Sequence, residues 1–230
     1  MLHEHGEHDH GHILEHHSTI MGELLCHVPY AIFSVAVAMI ALSVLSFLKG
    51  DGFVGHECHH LFHNFHFLHL LFAATGTMLT FRRFSHNIYL ALIVSFFVPA
   101  VFCTISDALF PYLGGRLIGL PMDLHWCFID HLDVVLPFLI AGMINGWAMS
   151  THKQNLHISY SLVFHFVHIF VSSMASILYL VSFGFQDWAE HMGFVFIFLV
   201  CAVLLPCTAS DIIVPMLFAR TRKKTDQKKG

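Results

Sequence analysis

His66 and His69 lie three residues apart in Phe65-His66-Phe67-Leu68-His69, a spacing that puts both imidazoles on one helical face. Such a pair can chelate one metal ion. It recurs as His165 and His168 in Phe164-His165-Phe166-Val167-His168. A thiol–carboxylate pair recurs too. Cys103 and Asp107 in Cys103-Thr104-Ile105-Ser106-Asp107 match Cys207 and Asp211 in Cys207-Thr208-Ala209-Ser210-Asp211, with Pro111 and Pro215 equally far downstream. Residues four apart share a helix face, so each thiol lies beside its carboxylate. His27, near Glu23 and Cys26, matches His131, near Asp130 and Asp133, and Met39-Ile40 then matches Met143-Ile144. His63 extends the first histidine stripe. The candidate metal ligands are therefore His27, His63, His66, His69, His131, His165, His168, Asp107, Asp130, Asp211, Glu23, Cys103 and Cys207. Imidazole with carboxylate and optional thiolate suits divalent transition metals (Zn²⁺, Ni²⁺, Co²⁺, Fe²⁺ or Mn²⁺) better than Mg²⁺ or Ca²⁺.

Each residue has a plainer reading. A single histidine in an apolar helix is more simply a polar group bonded to its neighbour. The aspartates sit near helix ends, where interfacial water hydrates them, and the cysteines are small enough to serve as packing. Repetition of the whole set weighs against those readings. An ionised carboxylate near a bilayer centre costs on the order of 3 kcal/mol, which a cation or protonated histidine offsets. On this basis the aspartates are stronger ligand candidates than the cysteines.

These residues sit in long apolar runs. Hydrophobic residues make up 56% of the 230 and charged residues 11%, the composition of an integral membrane protein. Six runs, near 28–48, 59–81, 87–110, 128–149, 157–183 and 190–218, are long enough to cross hydrocarbon as helices. The expected fold is an all-α membrane protein of six transmembrane helices. Three fall in each copy of the repeat, and an odd number forces the second copy upside down, an arrangement that places transporter sites at the repeat interface. The domains expected are a histidine-rich tail (1–22), a first three-helix repeat (23–114), a second, inverted repeat (115–219) and a basic tail (220–230). Pro111 and Pro215 are expected to end or kink their helices just beyond the aspartates.

Arg82, Arg83, Lys153 and the six basic residues of the C-terminal tail fall on one side, and only Lys49 and Arg116 on the other. By the positive-inside rule both termini are cytoplasmic, in a multi-pass protein of the cell (inner) membrane. The tail is then a topology signal, not a nucleic-acid patch. The ligand set divides accordingly: His63, His66, His69, Asp107, Asp130 and His131 towards the outer leaflet, Glu23, His27, His165, His168 and Asp211 towards the inner one. The first apolar run is of spanning length behind an acidic N-terminus, unlike a secretory signal. The six cysteines form no CxxC pair and suggest no disulfide framework, although Cys58 and Cys127 both fall near the outer face. Gly142 and Gly146 form a GxxxG element that allows close helix approach within the monomer.

Seven histidines (His3, His5, His8, His10, His12, His16 and His17), interleaved with Glu and Asp, make the N-terminal tail a weak transition-metal binder. On the other face, His56-Glu57-Cys58-His59-His60 reads as a metal-collecting patch. Its HxxHH resembles one histidine box of membrane di-iron desaturases and hydroxylases, over five residues. His125-Trp126-Cys127-Phe128-Ile129-Asp130-His131 has the form HxxxxDH and resembles the signature of nickel/cobalt permeases. It covers seven residues and implies that His125, Asp130 and His131 take part in metal uptake. The smaller six-span metal permeases associated with hydrogenase and urease are similar in size, with a related His…Asp-His element.

The function expected is transport of divalent transition-metal ions by alternating access, coupled to protons because ligands must shed protons to coordinate. Export is favoured by the cytoplasmic histidine tail. The protein is not expected to be an enzyme. Its partners would be metal ions, protons and the lipid bilayer, with no nucleic acid, and a homo-oligomer is open. The alternative is a membrane metalloenzyme or b-type cytochrome built on the same histidines. A metal-gated channel or sensor would share the site chemistry.

Overall fold

Long stretches of Leu, Ile, Val and Phe leave the backbone one way to satisfy its hydrogen bonds away from water, the α-helix. The computed structural model describes residues 20–49, 57–151, 158–185 and 187–227, with side chains at 22, 25–49, 57–151, 164–185 and 187–221. Among them every regular element is helical and none is a strand. The chain runs through α1 (Ile20–Lys49), α2 (Cys58–Phe84), α3 (Ile88–Thr104) and α4 (Phe110–Leu117), then a short α5 (Cys127–Asp130), α6 (Leu132–Thr151), α7 (Ile158–Ser182), α8 (Met192–Thr208) and α9 (Val214–Gln227). Asn87 starts α3 by accepting the Leu90 N–H on its side-chain oxygen at 3.1 Å.

Among the described residues, five segments are long and apolar enough to cross a membrane: Leu25–Lys49, Ile88–Leu117, Leu132–Thr151, Phe164–Ser182 and Trp188–Thr221. They make this a multi-pass membrane protein by composition and length. The sequence led us to expect six. The missing one is α2, whose 27 residues are long enough but carry five histidines, Arg82 and Arg83. Its surroundings explain how it tolerates them. α2 packs against α3, α6, α7 and α9, so protein and not lipid covers much of its surface. α7 is the other inner helix, with 72% of its apolar window buried. The two helices that carry the repeated histidine pairs are thus packed against each other at the centre.

Close packing around α2 depends on glycine. A Cβ on Gly142 would run into the Leu71 carbonyl, and one on Gly146 would lie 2.7 Å from that of Thr75, so only glycines let α6 approach this near. The GxxxG element acts within the monomer, as its sequence suggested.

Of the two outcomes expected at the prolines, an end or a kink, the helices do not end there. One π turn, Ile105–Leu109, joins α3 to α4, and another, Ala209–Ile213, joins α8 to α9. In each turn the backbone pairs five residues back, Phe110 N–H to the Ile105 carbonyl and Val214 N–H to the Ala209 carbonyl. The next donor would be Pro111 or Pro215, which has no N–H. The carbonyls so orphaned, Ser106 and Ser210, are satisfied from the opposite half of the molecule. Ser176 donates to the Ser106 carbonyl at 3.0 Å and Thr77 to the Ser210 carbonyl at 3.0 Å. A widened turn plus a borrowed hydroxyl lets each helix pass its proline.

Candidate metal centre

Each π turn carries an aspartate inward, and both aspartates are buried. Asp107 is fully engaged. Its Oδ2 accepts from His66 Nδ1 at 2.9 Å and His69 Nδ1 at 2.7 Å. Its Oδ1 accepts from Ser106 Oγ at 2.7 Å and Ser172 Oγ at 3.0 Å. A carboxylate has about four lone-pair positions, so little capacity remains for a metal. What Asp107 does is fix two imidazoles through Nδ1, leaving their Nε2 atoms as the ligating positions.

The second copy repeats this in part. His168 Nδ1 approaches Asp211 Oδ2 to 2.5 Å, and the Asp211 carboxylate lies against Gly76, where an added Cβ would come within 2.7 Å of Oδ2. The ring of His165 lies beside that of His27, centroids 4.9 Å apart. Both line a cavity together with His168, Cys207 and Asp211.

The two copies also meet at the histidines. The rings of His69 and His168 are 4.8 Å apart, and His69 Nε2 faces two thiols, Cys103 Sγ at 3.7 Å and Cys207 Sγ at 3.5 Å. One ligand atom each from His69, His168 and Cys207 lies within 4.8 Å of the others, close enough to share a metal ion. All three residues are buried, and His168 Nε2 hydrogen-bonds to nothing among the described residues. A buried nitrogen without a partner is costly, and a metal would satisfy it. The Cys207 thiol also donates to Ser172 Oγ at 3.3 Å, which in turn donates to Asp107. A thiol of one copy is thereby linked to the carboxylate of the other.

A second group lies six residues back along α2 from His69, nearly two helical turns. His63, His125 and His131 also bring ligand atoms within 4.8 Å of one another. The chain before α5 is anchored for this purpose. Tyr179 OH donates to the Asp123 carbonyl at 2.9 Å and accepts from the His125 N–H at 3.0 Å, while the His125 ring stacks on Phe183. Asp130 sits 3.3 Å from His125 Nδ1, and Cys127 Sγ 3.6 Å from His63 Nδ1. The Nε2 atoms of His63 and His125 are buried with no hydrogen-bond partner among the described residues. Burial lowers the pKa of His125, opposed by Asp130 and reinforced by His131 and His59. The Cys127 thiol is pushed up to about 12, chiefly by burial.

Of the residues singled out in the sequence, the structure gathers His66, His69, His168, Cys103, Cys207, Asp107 and Asp211 into one centre and His63 with His131 into another. His27 and His165 line a cavity together with His168, Cys207 and Asp211 of the first centre. Asp130 is half exposed and touches only the edge of the second group. The Glu23 side chain, the histidine tail and His56 lie outside the described residues. His69 and His168, which the sequence assigns to opposite leaflets without deciding between one central site and two, have ring centroids 4.8 Å apart. The thiols, not Asp107, face the ligating ring nitrogen of His69. His125, raised only through the HxxxxDH resemblance, joins His63 and His131. Cys58 and Cys127 are both free thiols packed in one apolar cluster. The hydroxyls of Ser106, Ser172, Ser176 and Thr77, and the anchoring role of Tyr179, escaped the sequence. Thr77 and Ser176 had a signal, since each follows the first histidine of its repeated pair, His66 or His165, by 11 residues.

No protein-family model, curated protein or solved structure matches this chain.

Proposed function

We propose that this protein transports divalent transition-metal ions across the cell (inner) membrane by alternating access between two inverted three-helix repeats. The observation that carries the reading is the contact of His69 with His168 beside Cys207. Equivalent residues of the two sequence copies converge on one buried donor set, as a site at a repeat interface requires. The reciprocal hydrogen bonds, Thr77 to Ser210 and Ser176 to Ser106, support the same relationship, because each exchanges with the other when the copies are exchanged. α2 is counted as the sixth span, shielded from lipid by its neighbours.

The Lys and Arg distribution puts both termini in the cytoplasm. The His27/His165 cavity then faces the cytoplasm and the His63/His125/His131 group the outside, so metal-binding groups follow one another along the path. Imidazole and thiol ligands lose protons when they coordinate, so metal moves in exchange for protons. A histidine-rich tail on the cytoplasmic side favours export. A haem protein fits the geometry poorly: rings with centroids 4.8 Å apart leave no room for a porphyrin between them.

Proteoliposomes loaded with a pH-sensitive dye test the reading. Zn²⁺, Ni²⁺, Co²⁺, Fe²⁺ and Mn²⁺ are supplied in turn, with and without a pH gradient. At least one should cross with opposite proton movement, and the gradient should accelerate it. Flux indifferent to the gradient would remove the coupling, and no flux for any metal would remove the function.

A further inference from the structure

We propose that the cargo is a thiophilic cation of tetrahedral preference, Zn²⁺ with Cd²⁺ as its analogue, held by the grouped donors His69, His168 and Cys207 with Cys103 turning in as the fourth. This rests on the transport reading for the word cargo; the three-donor group stands on geometry alone, and Cys103 is added because its Sγ faces the same His69 nitrogen. Zn–N bonds of about 2.05 Å and Zn–S bonds of about 2.3 Å at the tetrahedral angle separate their donor atoms by about 3.6 Å. The observed separations from His69 Nε2 are 3.7 Å to Cys103 Sγ and 3.5 Å to Cys207 Sγ. One nitrogen already stands at the right distance from both sulfurs.

Asp107 offers no free position, saturated by two imidazoles and two hydroxyls. Asp211 Oδ2 lies 2.5 Å from His168 Nδ1, and neither of its oxygens has a hydrogen bond among the described residues. Asp107 therefore acts behind His66 and His69, orienting them, and the contact with Nδ1 gives Asp211 the same part behind His168. All four donors are buried, Cys103, His69 and His168 each 1% exposed and Cys207 5%. A buried site with two nitrogens and two sulfurs suits Zn²⁺, which has no d-electron preference against a tetrahedron. It serves poorly Mn²⁺, which favours octahedral oxygen, and Ni²⁺, which favours tetragonal nitrogen and oxygen. Cys103 and Cys207 are the matched thiols of the two copies, so each half contributes one imidazole and one sulfur. The ligand set has the same two-fold character as the hydrogen bonds around it.

The test is X-ray absorption at the zinc edge on the full chain in detergent. One equivalent of Zn²⁺ is added in a His131→Ala background, so that the three-histidine group does not contribute. The expected shell is two sulfurs at about 2.3 Å and two nitrogens at about 2.0 Å. Cys103→Ser should reduce the sulfur count to one, with folding checked by its elution profile. A single sulfur before that substitution, an unchanged count after it, or carboxylate oxygens in the shell would overturn the site. In vesicles carrying the unaltered protein, Cd²⁺ should compete with Zn²⁺ at equal concentration, and Ni²⁺ and Mn²⁺ should not. Equal competition by Ni²⁺ or Mn²⁺ would overturn the cargo class and leave transport standing. A two-sulfur shell without flux of any metal would uphold the site and sink the transport reading instead.

Discussion

Thr77 donates its hydroxyl hydrogen to the Ser210 carbonyl at 3.0 Å, supplying the bond that Pro215 cannot. Ser176 does the same for Ser106 and Pro111. Removing either hydroxyl strands a buried carbonyl, at a cost of about 1–3 kcal/mol. Thr77→Val and Ser176→Ala should each lower the thermal unfolding midpoint in detergent. An unaltered midpoint in both would mean that the carbonyls find other donors.

Asp107 orients two histidines without occupying the ligand positions. Asp107→Asn keeps the shape but replaces one acceptor oxygen by a donor, which cannot pair with an imidazole N–H. Loss of such an orienting partner costs about 10–100-fold in metal affinity. Competition titration with a chelating dye should report a loss in that range. Complete loss of binding would make Asp107 a ligand after all.

Gly76 gives Asp211 its room. An alanine there would put its Cβ 2.7 Å from Oδ2, so Gly76→Ala should push the carboxylate off His168 and weaken metal binding. Gly193 meets nothing within 4 Å, and Gly193→Ala in α8 should leave binding unaltered. Equal effects from the two substitutions would contradict the role given to Gly76.

His125 titrates below the ordinary histidine value because burial and the neighbouring His131 and His59 disfavour its charged form, while Asp130 favours it. Asp130→Asn removes the one raising influence among these. The midpoint should therefore move further down, and the ring should stay neutral to lower pH. Imidazole NMR on metal-free protein reads this directly, and an upward movement would contradict it.

Much of the centre was legible because its residues are repeated at helical spacing. His66/His69 and His165/His168 had to share faces, and Cys103/Asp107 and Cys207/Asp211 likewise, whatever the packing. Their convergence at His69 and His168 was not legible, since nothing local fixes how deeply two helices interpenetrate. α2 looked like one span among six, yet it meets the apolar standard least because its environment is protein. Pro111 and Pro215 read as helix ends or kinks, with no way to choose, because the rescue, a π turn with a hydroxyl from the other half, depends on residues far away in sequence. The anchoring of His125 by Tyr179 is nonlocal in the same way.

The most direct test of the central claim is Zn²⁺ counterflow in proteoliposomes. Vesicles preloaded with unlabelled Zn²⁺ should accumulate labelled Zn²⁺ transiently and saturably, and His69→Ala and His168→Ala should each abolish the overshoot. Accumulation that does not saturate, or an overshoot that survives both substitutions, would contradict a carrier working through the centre where the two halves meet.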